Sequence, residues 1–179
     1  TCTVIALITC LRYRTFSSPN YDFGLFCNMF YHMKKCGLPL STSERDVLLS
    51  HFAVHISPVY YLLLPFYAVF PSPLTLQIGQ AVALAAGIIP VLLLAKRFRL
   101  SAKATILCAA LYCFYPALSA GTFYDLHENC FLPLFLLFTF WFFETGRYPL
   151  MYVGAALVLS VKEDAAFYLL IFALYLLLS

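Results

Sequence analysis

The sequence predicts an all-α membrane protein, a multi-pass bundle of spanning helices, and three observations carry that prediction. Hydrophobic residues make up 63% of the 179 residues, where soluble chains hold roughly 45–50% even with Gly counted. Charged residues are only 11%, too few to coat a soluble globule with so much apolar surface to hide. The apolar residues also gather in runs, and Leu74 to Ala95 carries no charge over 22 residues, enough for a helix to cross the hydrocarbon core. Backbone groups in lipid must pair within their own segment, so helices are the spanning element. No stretch alternates with a period of two for long enough to suggest a barrel. Disorder, a disulfide-stapled secreted module and a water-soluble enzyme are excluded on the same grounds. The net charge of +3 is small and scattered, which excludes nucleic acid as a partner.

The elements divide into three parts. Residues 1–13 form a truncated span, shorter than the roughly 20 residues a crossing helix needs. With no initiating Met, and an apolar run still open at the other end, the expectation is a fragment of a longer multi-pass chain. Residues 14–73 form a loop with interfacial helices. In it Leu25, Phe26, Met29, Phe30 and Met33 recur at helical spacing, with Asn28, His32, Lys34 and Lys35 elsewhere, the pattern of an amphipathic helix lying in the interface. Gly37 and Pro39 end it. The S-x-x-E spacing of Ser41 and Glu44 resembles a capping box. Val54 to Phe70 is apolar, but Pro58 and Pro65 interrupt it and Pro71 and Pro73 close it, so the run either spans or lies in the interface.

Residues 74–179 hold the helical spans: Leu74 to Ala95, Ala104 to Gly121, Cys130 to Phe143, Pro149 to Val161, and the stretch from Ala165. Lys96, Arg97, Arg99 and Lys103 form a basic loop without an acid, the mark of a cytoplasmic turn. Counting Lys and Arg favours a spanning Val54–Phe70, and the four prolines argue against it. Seven cysteines lie at 2, 10, 27, 36, 108, 113 and 130 with no C-x-x-C pair. Most act as small hydrophobes in apolar runs, and a bridge between Cys27 and Cys36 is left open.

Few residues remain for acid–base or metal chemistry. Asp22 reads either as the N-cap of the interfacial helix or as a carboxylate at the membrane surface that takes a proton from a hydroxyl. His51 and His55, four apart, would share one face of a helix and either hold a metal or sit hydrogen-bonded in the interface. Asp125, His127 and Glu128 put three ionisable groups in four residues between two apolar runs. Such a cluster needs water, a cation or a partner. Lys162, Glu163 and Asp164 interrupt about 30 apolar residues; they pair internally at a turn, or line a polar cavity where a lysine would suit a phosphate.

Four motifs, "YDFGLF", "HFAVHISP", "FYDLHEN" and "VKEDAA", occur in the order in which they recur in the membrane proteins grouped as domain of unknown function 2079. Together with the run from His55 to Phe98, they make the chain from about Asn20 onward resemble that branch of the GT-C superfamily of membrane glycosyltransferases. The resemblance implies a GT-C-like fold with the first loop extracytoplasmic, Val54–Phe70 in the interface, and Leu74–Ala95 as the next span, running inward to the basic loop. Asp22, His51, His55, Asp125, His127, Glu128, Lys162, Glu163 and Asp164 would then converge on one face.

The implied activity is transfer of a sugar from a polyprenyl-phosphate carrier, in the plasma membrane of a prokaryote, to an extracytoplasmic acceptor. Asp22 would be the catalytic base. His51, His55, Lys162, Glu163 and Asp164 would bind substrate, and Asp125, His127 and Glu128 would hold a divalent cation. Many such enzymes carry two adjacent acids in the first loop, whereas Asp22 is followed by Phe23 and Gly24. The same charged groups would also serve a transporter or lipid-binding membrane protein, and a catalytically inactive envelope scaffold is the third reading.

Overall fold

The computed structural model describes residues 2–18, 20–45, 47–118 and 126–178, and at residues 20–22 the backbone alone. It is predominantly helical. In chain order the helices are α1 (Cys2–Arg14), α2 (Asn20–Cys36), α3 (Leu64–Val69), α4 (Pro73–Ala86), α5 (Ile88–Arg97), α6 (Ala102–Phe114), α7 (Leu132–Glu144), α8 (Tyr148–Leu159) and α9 (Ala165–Leu178). One-turn 3₁₀ helices form at His51–Ala53, Pro58–Leu62 and Glu128–Phe131. Two short strands, β1 (Leu40–Ser41) and β2 (Leu49–Ser50), pair antiparallel with Leu40 opposite Ser50.

The helix expected in the first loop is α2, and its apolar stripe meets protein. Phe26, Met29, Phe30 and Met33 are buried, while Tyr31, Lys34 and Lys35 on the other face are exposed. The stripe packs on the proline-rich segment that follows, where the Phe30 ring lies 5.8 Å from Tyr60 and 5.4 Å from Tyr67. Full burial of a side chain such as Met29 or Phe30 contributes about 1.5–3 kcal/mol. Gly37 ends the helix with φ +75° and its N–H on Met33 O at 2.9 Å, the left-handed cap that glycine adopts at no steric cost. Cys36 is not in a disulfide, so no bridge joins it to Cys27.

Two local expectations are corrected here. Ser41 caps no helix: it sits in β1, and its Oγ accepts from Ser43 N–H at 3.2 Å. The chain is kept extended by the β1–β2 pairing and by His51 N–H on Pro39 O at 2.7 Å, so Glu44 has no helix to cap and its carboxylate turns to His51. Asp22 is not an N-cap either, because α2 begins at Asn20 and places residue 22 inside the first turn.

Val54–Phe70 does not form one crossing helix. Each proline starts a new short element, Pro58 opening a 3₁₀ turn and Pro65 lying in the first turn of α3, where the missing N–H leaves no bond unmade. The six residues of α3 reach about 9 Å at 1.5 Å each. Ser72 then caps α4, its Oγ accepting from Leu74 N–H at 3.3 Å with Pro73 next.

From Pro73 the chain runs helical to Arg97, the one stretch among the described residues long and apolar enough to cross a membrane. The α-helical pattern is interrupted at Gly87, three residues before Pro90, which cannot donate to the carbonyl four residues back. Ala102–Leu118, Tyr148–Leu159 and Ala165–Leu178 are apolar but shorter.

The antiparallel helices α7 and α8 approach closely at Gly154, where a Cβ would run into the side chain of buried Thr139. Small residues at such a crossing let two backbones meet. The outward faces of α6 and α9 are apolar: Ile106, Leu107, Leu111 and Phe114 on α6, and Phe167, Leu170, Ile171 and Leu174 on α9, are exposed. That is the inverse of a soluble surface.

Candidate functional site

The site is built where α2, the 51–60 segment, the Glu128 turn and the α8–α9 connection meet. Ser50 caps the first 3₁₀ turn, accepting from Phe52 N–H at 3.3 Å, and the turn continues through His55 N–H on His51 O at 2.9 Å. This puts the two imidazoles edge to face with centroids 6.1 Å apart. His51 is 3% exposed. Its Nδ1 lies 3.2 and 3.3 Å from the two carboxylate oxygens of Glu44, and its Nε2 meets no hydrogen-bond partner among the described residues. The carboxylate contact puts a proton on Nδ1.

His55 turns the other way. Its Nδ1 is 2.8 Å from Glu163 Oε1, while Ile56 N–H donates to Glu163 Oε2 at 3.2 Å and Val59 N–H to Ser160 O at 2.9 Å. Three bonds strap this segment to the turn after α8. The His55 contact, with the backbone amides, holds the Glu163 carboxyl below the usual carboxylate range. Replacing Glu163 with Gln is expected to speed amide exchange at Ile56 several-fold, because a neutral amide is a weaker acceptor than a carboxylate. Val59, bonded to Ser160 instead, should stay protected. Equal acceleration at both would mean that the whole strap depends on the carboxylate.

Glu128 is the electrostatic centre. It is 2% exposed, and Tyr60, itself fully buried, donates its hydroxyl to Oε2 at 2.6 Å. Lys162 Nζ stands 3.1 Å from Oε1 with 18% of its side chain exposed, and His127 Nδ1 is 3.6 Å from Oε2. Burial alone would raise the Glu128 carboxyl; the flanking His127, the Tyr60 hydroxyl and the Lys162 ammonium outweigh it and hold it well below the usual range. Burial and the adjacent carboxylate push the Tyr60 phenol upward, so it remains a donor. From α4, Gln80 Oε1 accepts His127 N–H at 2.9 Å and fixes the turn. The Phe26 ring closes the floor, 5.3 Å from Tyr60, 5.7 Å from His51 and 6.1 Å from His127.

The structure therefore brings His51, His55, His127, Glu128, Lys162 and Glu163 into one neighbourhood. The backbone of Asp22 lies in α2 one helical turn before Phe26, and its side chain lies outside what is described. Asp125 lies outside the described residues, and Asp164 is exposed beside Glu163.

The expectation of internal pairing within Lys162–Glu163–Asp164 is corrected. Lys162 pairs with Glu128 and Glu163 with His55, because consecutive residues point to different sides while a buried carboxylate demands a cation. Tyr60, Glu44, Gln80 and Phe26 are members that residue type alone did not single out as site residues. Tyr60 stood within a quoted motif run, whereas Gln80 lay unmarked in an apolar helix.

Among the described residues no three His, Cys, Asp or Glu side chains are gathered as a metal site. The described part of Asp125–His127–Glu128 does not by itself fit a cation, since both Glu128 oxygens are taken by Tyr60 and Lys162. His51 and His55 each direct Nδ1 to a carboxylate.

Beside this polar cluster runs an apolar groove of about 690 Å³, walled by Phe66 from α3, Ile78 and Val82 from α4, Leu134 and Phe135 from α7, and Phe131. Phe131 belongs to the same 3₁₀ turn as Glu128, so groove and charged cluster adjoin.

A family model described as "Predicted membrane protein (DUF2079)" matches residues 12–179. No curated protein and no solved structure matches the chain.

Proposed function

Since the chain belongs to the DUF2079 family of predicted membrane proteins, we propose that it is a multi-pass membrane glycosyltransferase of the GT-C type. It takes a sugar from a polyprenyl-phosphate carrier and passes it to an acceptor hydroxyl outside the cytoplasm. One observation carries the reading: six titratable side chains from three distant stretches meet beside an apolar groove. A polyprenyl-phosphate sugar has the same two halves, and the groove takes the tail while the charged cluster takes the phosphate and sugar.

The depth of the cluster supports this. Helices α7 and α8 have 13 and 12 residues, about 20 and 18 Å at 1.5 Å each. With the basic loop at one headgroup level and the 3₁₀ turn Glu128–Phe131 continuing α7, Glu128 comes near the opposite boundary of a roughly 30 Å hydrocarbon core. Charges at that depth are held only when paired or wetted, as Glu128 and Lys162 are paired.

In the proposed reaction Asp22 accepts the proton of the acceptor hydroxyl, and the oxygen attacks the anomeric carbon. The bond from that carbon to the phosphate oxygen breaks, and polyprenyl phosphate leaves with the electron pair. Lys162, one of whose three donors goes to Glu128, and His55 face the developing phosphate charge. Glu128 and Tyr60 hold Lys162 in place. His51, Glu163 and Asp164 line the sugar side. A divalent cation at Asp125, His127 and Glu128 would require Lys162 to release Glu128, and no step is routed through one.

The test is transfer by the full-length protein in proteoliposomes supplied with polyprenyl-phosphate sugars. Sugar should move to acceptor with the wild-type chain. Asp22→Asn should lower the rate by at least about 10²-fold, the lower end of what a general base contributes, without changing the melting temperature. Unchanged transfer would remove Asp22 from the role. Vesicle uptake of solute with no transfer from any carrier would favour the transporter reading.

A further inference from the structure

At the far end of α7 and α8 from Glu128, five basic side chains lie at the same end as a cluster of aromatic rings, in which Phe140 meets Phe98 and Phe172, and Phe143 meets Tyr148 and Tyr175. Lys96 and Arg97 close α5, Arg99 follows it, Lys103 opens α6, and Arg147 lies in the α7–α8 turn; all are exposed. The two turns are tied together, Arg97 Nε donating to Glu144 O at 2.7 Å, so the charges form one surface. Arg147 lies over the Trp141 ring, its Cζ 5.1 Å from the centroid. Arg99 takes φ +52° and lets Leu100 N–H reach back to Ala95 O at 3.0 Å. Glycine fills such a left-handed position without strain, yet here it carries a cation. Glu144 is the one acid in these two turns, and its Oε1 is engaged by the Tyr175 hydroxyl at 2.9 Å.

We propose that this surface binds the phosphate-bearing headgroups of anionic phospholipids, with the aromatic cluster at the headgroup boundary and the basic residues on the phosphates. Aromatic side chains collect at the membrane–water boundary, and clusters of four or more Lys and Arg beside a spanning helix recognise anionic lipid. Arg pairs phosphate oxygens with two parallel N–H donors. The surface therefore retains phosphatidylglycerol-type lipid in preference to zwitterionic lipid, independently of chemistry at the other end.

The experiment uses the full-length protein in detergent and follows thermal unfolding as phosphatidylglycerol, phosphatidylcholine or inorganic phosphate is titrated in. Phosphatidylglycerol should stabilise at concentrations at least about tenfold lower than phosphatidylcholine, and high salt should erase the difference. The combined variant Lys96→Gln, Arg99→Gln, Lys103→Gln leaves the Arg97–Glu144 tie intact and should weaken the effect about fivefold for each charge removed. Should that variant fail to fold, Lys103→Gln alone carries the same reading at its single step. Equal stabilisation by the two lipids, no change on charge removal, or an equal effect of inorganic phosphate would each overturn the proposal.

Discussion

Lys162→Met is expected to destabilise the protein by about 3–5 kcal/mol, the range for removing one partner of a buried ion pair. The reason lies with the carboxylate left behind. Glu128 is 2% exposed and would lose the cation 3.1 Å from its Oε1, keeping only the Tyr60 hydroxyl and His127 beside it. Replacing both members, Glu128→Gln with Lys162→Met, should recover much of the loss, since no buried charge then stands alone. Unfolding in detergent by heat or denaturant measures each variant. A loss below about 1 kcal/mol for Lys162→Met would class the pair with exposed salt bridges and deny Glu128 its central place.

The same pair sets an acid limit. The folded carboxyl of Glu128 is held below its ordinary value, so its contribution to stability is complete above the unfolded carboxyl's pKa of about 4.3. It is lost progressively as pH falls from there toward the lowered folded value. The wild-type protein should lose stability on acidification through that window, and the double variant should lose less.

Phe26→Ala is the second large effect, about 3–5 kcal/mol for emptying a buried aromatic position. The Phe26 ring touches Tyr60, His51 and His127 together, so the cavity opens beneath the site as well as in the core. Phe30→Ala supplies the comparison. It should cost a similar amount, and Phe30 meets Tyr60 and Tyr67, with no histidine ring against it among the described residues. Carbethoxylation read by mass spectrometry separates the two: His51, buried in the wild type, should become reactive in Phe26→Ala and stay protected in Phe30→Ala. Protection of His51 in both variants would mean that the Glu44 side of the pocket encloses it without Phe26.

Membrane character, the α2 stripe and the helices of the second half were legible because each rests on local pattern. Phe26, Met29, Phe30 and Met33 repeat at helical spacing, and the structure buries them together. Cys130–Phe143 and Pro149–Val161 were read from apolar length and return as α7 and α8. Local pattern misled at Ser41–Glu44, where cap-like spacing met a chain already pinned in a β-ladder. It was ambiguous at Val54–Phe70, where prolines suit either a kinked span or a series of short helices.

Residue types and their spacing thus determined that this chain belongs in lipid, which stretches are helical and which rare charges stand against an apolar background. Those properties depend on neighbours within a turn or two. Tertiary structure alone decided which charge meets which: Tyr60 with Glu128 across 68 positions, and His55 with Glu163 across 108. Nothing near Glu128 in the chain specifies Lys162 as its partner. That choice falls to whichever cation the packing of α2, α4 and α8 delivers to a buried carboxylate, because in a low-dielectric interior an unpaired charge costs more than any local preference can offset.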